Sequence, residues 1–419
     1  MKKIRVGRRD VLRSGVLLGA GAVLPSWMPR MSFAPITTGT RGDALVVIFL
    51  RGAADGLNMI IPYVEDGYYQ MRPTLAIPQP DEKGSSQSSS AIDLDGYFGL
   101  HPALRPIIPA WEQGHFIPVI ACGAPDESRS HFKAMELMER GLTDERGPAS
   151  GWIGRHLATL ENGNPSPLRA VGFGEAAPRS LHGSIPITAL KSITDFHLNG
   201  NEAMASRMQS VITSLYSGDQ VLHQMGRETL NVIDTIEQIN PSENRAFRTM
   251  TYPETDFGYG LQQIAALIEA DVGLEVAALD LGGWDTHFTQ GASEGIMARL
   301  LAELGNGLAA FYDQVQDEMN KITVVIMTEF GRRVKENASL GTDHGHGSIM
   351  LLMGGNLRGS MVHGVWPGLD EGQLIGPGDL AVTTDYRDVL AEILTKRMHN
   401  HAIETVFPGY VPNLAGVLV

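Results

Sequence analysis

The chain has 419 residues, 43% of them hydrophobic and 19% charged, with a formal net charge of −14. That composition fits a globular chain, either one large α/β domain or two average ones, and excludes a disordered or fibrous protein. So acidic a body repels phosphate backbones, which excludes nucleic acid as a partner; an anionic substrate would need a local cation such as a bound metal.

The first 34 residues carry seven Lys and Arg against one acid, which leaves the rest of the chain near −20. Lys2, Lys3, Arg5, Arg8 and Arg9 precede an apolar stretch at 16–24, the order of a secretory signal. Arg8-Arg9-Asp10-Val11-Leu12 resembles a twin-arginine export signal, and Ser32-Phe33-Ala34 resembles a cleavage site. Residues 1–34 are therefore expected to be removed, leaving 35–419 as a single periplasmic or extracellular domain. Beyond the signal no stretch approaches the roughly 20 apolar residues of a membrane span. The single cysteine, Cys122, excludes an internal disulfide and reads as a buried structural thiol.

Short runs rich in Val, Ile and Leu predict strands at 44–50, 116–122, 169–173, 274–281, 322–327 and 348–353. Because these runs are continuously apolar rather than alternating, they predict strands covered on both faces, as in a parallel sheet. Apolar spacings of three and four predict helices at 130–140, 257–270, 294–319 and 386–398. The alternation gives a doubly wound α/β fold with a mostly parallel sheet and flanking helices. Residues 81–90 read as a polar loop, and 201–239 as a helical insertion.

Three segments directly follow predicted strands: 51–58, 282–287 and 329–346. Ligands of open α/β sheets gather outside the carboxyl ends of the strands, so these segments are expected to meet there. Gly282-Gly283-Trp284-Asp285-Thr286-His287 and Gly341-Thr342-Asp343-His344-Gly345-His346-Gly347 place carboxylates and imidazoles among glycines. That is a ligand set suited to Zn²⁺ or Mn²⁺. Asp55, Asp285, His287, Asp343, His344 and His346 are the candidate metal ligands. Each also has a plainer reading: a helix cap for Asp285, turn formers for Asp55 and Asp343, solvent exposure for His346. His101, His115, His131 and His363 are scattered and read as structural. Residues 124–131 open a helix, with Ser128 expected as its cap and Ser130 in its first turn. A hydroxyl there, beside a metal, is also suited to attack phosphorus or sulfur.

Gly-Gly-Trp-Asp-Thr-His, Thr-Glu-Phe-Gly-Arg, Gly-Thr-Asp-His-Gly and Arg-Ser-His-Phe together resemble a bacterial export family, domain of unknown function 1501. Gly99-Leu100-His101-Pro102-Ala103-Leu104 and Thr384-Asp385-Tyr386-Arg387-Asp388 extend the likeness over nearly the whole chain after the signal. That family looks like a branch of the alkaline phosphatase and sulfatase superfamily. The resemblance implies an alkaline-phosphatase-like fold with one or two divalent ions. It also implies Asp55, Asp285 with His287, and Asp343 with His344 as ligands, and Ser130 as nucleophile. Arg51 or Arg332 would hold the anion. The expected function is hydrolysis of a phosphate or sulfate ester, on a small anionic ester or an envelope polymer. The alternative is a non-catalytic, metal-containing envelope assembly or binding protein with a protein partner.

Overall fold

The computed structural model describes residues 43–80, 89–160, 166–190 other than 175 and 186, and 251–419, with Asn164 and isolated positions between 208 and 233. The export signal, nearly all of the 81–90 loop and nearly all of the 201–239 insertion lie outside the described residues. No helix among the described residues is long and apolar enough to cross a membrane.

A mixed, mostly parallel eight-stranded sheet with flanking helices organises the chain. We number its strands β1 (Ala44–Leu50), β2 (Phe116–Gly123), β3 (Ala170–Phe173), β4 (Thr188–Leu190), β5 (Val276–Leu281), β6 (Ile322–Thr328), β9 (Ser348–Gly354) and β10 (Thr384–Asp385); β7 (Arg332–Glu336) and β8 (Thr342–His344) form a separate antiparallel pair. The order across the sheet is β10-β2-β9-β6-β1-β5-β3-β4. β1 pairs in parallel with β5 and β6 at the centre. β9 runs antiparallel to both β6 and β2, so the sheet is mostly rather than wholly parallel, as expected. Apolar content marks a strand as covered on both faces but carries no direction, so β9 reads like its parallel neighbours.

Alternation along β1 feeds two cores. Val46, Ile48 and Leu50 point to one, shared with Leu261 and Leu304. Leu45, Val47 and Phe49 point to the other, shared with Trp152 and Leu390. Helices α3 (Asp256–Glu269) and α4 (Ile296–Val315) cover the first face; α2 (Trp152–Thr159) and α5 (Tyr386–Lys396) cover the second. The remaining long helix, α1 (His131–Arg140), starts just beyond the carboxyl end of β2. Cys122 is buried, and burial pushes its thiol up, away from a reactive thiolate.

Two buried imidazoles tie loops to this frame. Nδ1 of His101 accepts from the Ala103 amide at 3.0 Å, so its Nε2–H donates to the Ala292 carbonyl at 3.2 Å. His156 accepts from the Asn400 amide at 2.8 Å. Burial lowers the His101 ring to about 4 and the His156 ring to about 3. Both rings are neutral in the fold and protonate more readily unfolded, so their stabilisation is full above the unfolded value of about 6.5 and is lost as pH falls toward the folded values. Urea unfolding at pH 7 and pH 5 is expected to show a loss of about 2 kcal/mol per ring. A flat profile across that window would contradict neutral burial.

A candidate metal centre

Three connections at the carboxyl edge of β1, β5 and β6 are stitched together by backbone. The Trp284 amide donates to the Arg51 carbonyl, and the Thr342 amide to the Thr286 carbonyl. Two glycines permit this approach. Gly52 has φ +118°, and a Cβ there would sit 2.6 Å from the Asp285 nitrogen; one on Gly341 would sit 2.3 Å from the His287 carbonyl oxygen.

On this platform three imidazoles surround one carboxylate oxygen. Asp285 Oδ1 lies 3.1 Å from His287 Nε2, 3.2 Å from His344 Nε2 and 3.4 Å from His131 Nε2. His131, Asp285 and His344 offer ligand atoms all within 4.8 Å of one another, and His287 Nε2 stands 2.8 Å from His344 Nε2. The far nitrogen of each ring is committed. His131 Nδ1 donates to Glu329 Oε1 at 2.7 Å, His344 Nδ1 to the Arg129 carbonyl at 2.9 Å, and His287 Nδ1 to Asp343 Oδ1 at 3.3 Å. Each ring is thereby set in the tautomer that leaves its Nε2 lone pair free.

Two bare Nε2 atoms at 2.8 Å repel unless a cation lies between them, and His131 Nε2 is buried with no hydrogen-bond partner. A tetrahedral ion with bonds of about 2.0–2.1 Å separates its ligand atoms by roughly 3.3 Å. The three distances from Asp285 Oδ1 match that edge. His131, Asp285 and His344 fit a divalent ion bound by two nitrogens and one oxygen, and His287 stands beside that group.

The electrostatics agree. Burial opposes ionisation of Asp285, but the hydrogen bond and positive charge of Arg332 lead the effects that outweigh it and hold the carboxyl at about 2. Asp343 is lowered chiefly by the Asn337 side chain, which donates to it at 3.0 Å. The hydrogen bond to Glu329 raises His131, and burial lowers His344.

Several residues singled out from sequence take other places. Asp343 holds His287 rather than joining the three rings around Asp285. His346 Nε2 donates to the Ala124 carbonyl at 2.8 Å. Asp55 is buried and bound by both terminal nitrogens of Arg72 at 2.6 and 2.9 Å, and its Oδ2 also accepts from Gln290 at 2.6 Å. With a full cationic partner, Asp55 is committed away from any ion. Gln290 in turn accepts from Thr286 and Thr342 at 2.8 and 2.7 Å, so this buried network supports both metal loops from below. Asp55→Asn is expected to cost about 3 kcal/mol in unfolding free energy, since Arg72 would keep a buried and uncompensated charge. Metal affinity should change little. Loss of metal without loss of stability would restore Asp55 as a ligand.

Neither arginine expected to hold an anion is free to do so. Arg332 is buried and donates to the carbonyls of Gly52, Ala53, Trp284 and Thr342 and to Asp285 Oδ1. It clamps Asp285 in place. Arg51 is engaged by Glu139 and Asp280. Ser130, not Ser128, is the residue that precedes α1, and its side chain makes no capping hydrogen bond. It is exposed, next to His131.

Sequence reasoning missed His131 and Glu329. His131 sits in Arg-Ser-His-Phe and Glu329 in Thr-Glu-Phe-Gly-Arg, two of the motifs that carried the resemblance.

A family model described as "Protein of unknown function (DUF1501)" matches residues 43–407. No curated protein matches the chain. Among solved structures, a variant of TAB5 alkaline phosphatase with Mg bound is 7% identical, covers 75% of this chain and 91% of its own, and has a TM-score of 0.32. A variant of alkaline phosphatase PafA is 9% identical over 70% of this chain and 64% of its own, with a TM-score of 0.31. An alkaline phosphatase superfamily protein from Vibrio parahaemolyticus is 9% identical over 81% and 66%, at 0.29. Overlap this loose leaves the chemistry of the site to its own residues.

Proposed function

We propose that this chain, which belongs to the DUF1501 family, is a metal-dependent hydrolase of phosphate or sulfate esters. The supporting observation is the convergence of His131, His287 and His344 on Asp285, each ring with its far nitrogen committed. His131, Asp285 and His344 would hold the ion, with His287 beside them and Zn²⁺ or Mn²⁺ suited to the donor set. A bound ion supplies positive charge that polarises an ester and lowers the pKa of a nearby hydroxyl.

The protein's own groups divide the remaining work. Arg332 and Glu329 orient Asp285 and His131, so little reorganisation is needed when substrate arrives. Ser130 presents a hydroxyl at the start of a ten-residue helix, whose free amides favour an incoming anion. Ser130 Oγ bonds to phosphorus or sulfur, its proton is released, and the ester oxygen leaves as the alcohol. Water then cleaves the ester formed on the serine.

The side chains of His131, His287, His344 and Asp285 are between 20% and 48% exposed, and an open face suits a substrate better than a sealed structural site does. One observation favours the second reading, a non-catalytic envelope assembly or binding protein. His287 stands next to the other three ligands, and if it also bound, three nitrogens and one oxygen would complete a tetrahedral set. Hydrolysis of 4-nitrophenyl phosphate and 4-nitrophenyl sulfate distinguishes the two. Turnover that needs Zn²⁺ or Mn²⁺, stops with chelator and returns on reloading is the expected result. A fully loaded protein without turnover would shift the assignment to the second reading.

A further inference from the structure

The mouth of the site breaks local rules in a consistent way. Phe132 and Phe288 are 86% and 69% exposed, whereas every other phenylalanine among the described residues is buried. Each directly follows a histidine of the cluster, His131 and His287. Leu340 is 50% exposed and has φ +57°, a left-handed conformation that a leucine disfavours. Its turn is tied to the segment after Phe288, since the Thr289 amide donates to the Ser339 carbonyl and the Gln290 amide to the Leu340 carbonyl. Below them, buried Phe330 stacks on His131 with ring centroids 5.0 Å apart and lies 5.1 Å from His344. Exposed apolar side chains on residues that adjoin the cluster, and an unfavourable backbone tied to one of those segments, are both explained by a binding role.

A cation adjoins the same cluster: Arg333 stands 4.0 Å from Asp343, the residue that holds His287, and 3.9 Å from Asp379, with about a third of its side chain exposed. An anionic bilayer is a poor occupant for this rim, because the chain's net charge is −14.

We propose that the site selects an ester whose alcohol is apolar. The apolar group packs against Phe132, Phe288 and Leu340, while the anionic group faces Arg333 and the histidine cluster. This rests on the hydrolase reading and deepens it by naming the substrate class. The test uses two non-hydrolysable anions, phenylphosphonate and methylphosphonate, titrated calorimetrically into protein loaded with Zn²⁺. Phenylphosphonate is expected to bind about tenfold more tightly. Phe132→Ser with Phe288→Ser should remove that preference while metal content and methylphosphonate affinity stay as they are. Equal affinities in the wild type, or a preference that survives the double substitution, would overturn the substrate class and leave the hydrolase reading standing. Binding of neither phosphonate by metal-loaded protein would overturn both.

Discussion

Ser130→Ala is expected to reduce ester cleavage at least about a thousandfold and to leave metal content unchanged. The side chain makes no capping hydrogen bond and is exposed, so removing its oxygen takes away a reactive group and little else. Folding and metal binding should therefore survive, which separates a nucleophile from a structural serine. Cleavage of 4-nitrophenyl phosphate, measured beside metal content on the same preparation, decides it. A variant that keeps wild-type turnover removes Ser130 from the mechanism and leaves a metal-activated water as the attacking group.

Asp285→Asn is expected to abolish both metal binding and turnover. Among the described residues Asp285 is the only carboxylate within 3.4 Å of all three Nε2 atoms, so the amide takes the negative charge out of the donor set. It also weakens the contact with buried Arg332. The effect on stability should be small, because Arg332 keeps four backbone carbonyls. Dialysis against buffered Zn²⁺ should show a loss of at least about a hundredfold in affinity. Unchanged affinity would mean that the three imidazoles hold the ion without it.

The parts of this protein that were legible in its sequence are those set by local pattern. β1 is a continuous apolar run, and the structure places it at Ala44–Leu50 as read. Asp285, His287 and His344 were visible because glycines flank them after such runs. His131 was not. It begins a helix whose pattern is ordinary, and its role depends on Glu329, 198 positions away. The separate β7–β8 pair that carries His344 read as part of a loop, since five- and three-residue strands leave little periodicity to detect. Arg332 and Asp55 were misread for one reason. An arginine or carboxylate near a site looks available until its partners are known, and theirs come from the loop after β1, Arg72 and Gln290, parts of the chain joined only by the fold. Exposure was equally invisible: nothing in the sequence distinguishes Phe132 from the buried Phe330.

We propose one divalent-metal centre built by His131, Asp285 and His344, with His287 beside them. Metal content per chain, measured after equilibration with limiting Zn²⁺ for the wild type and His131→Ala, tests it most directly. His131 is decisive because no local motif logic assigned it, and its free Nε2 has no other use among the described residues. About one ion per wild-type chain is expected and, at the same free Zn²⁺, less than about a tenth of that occupancy for His131→Ala. Equal occupancy in the two proteins would contradict it.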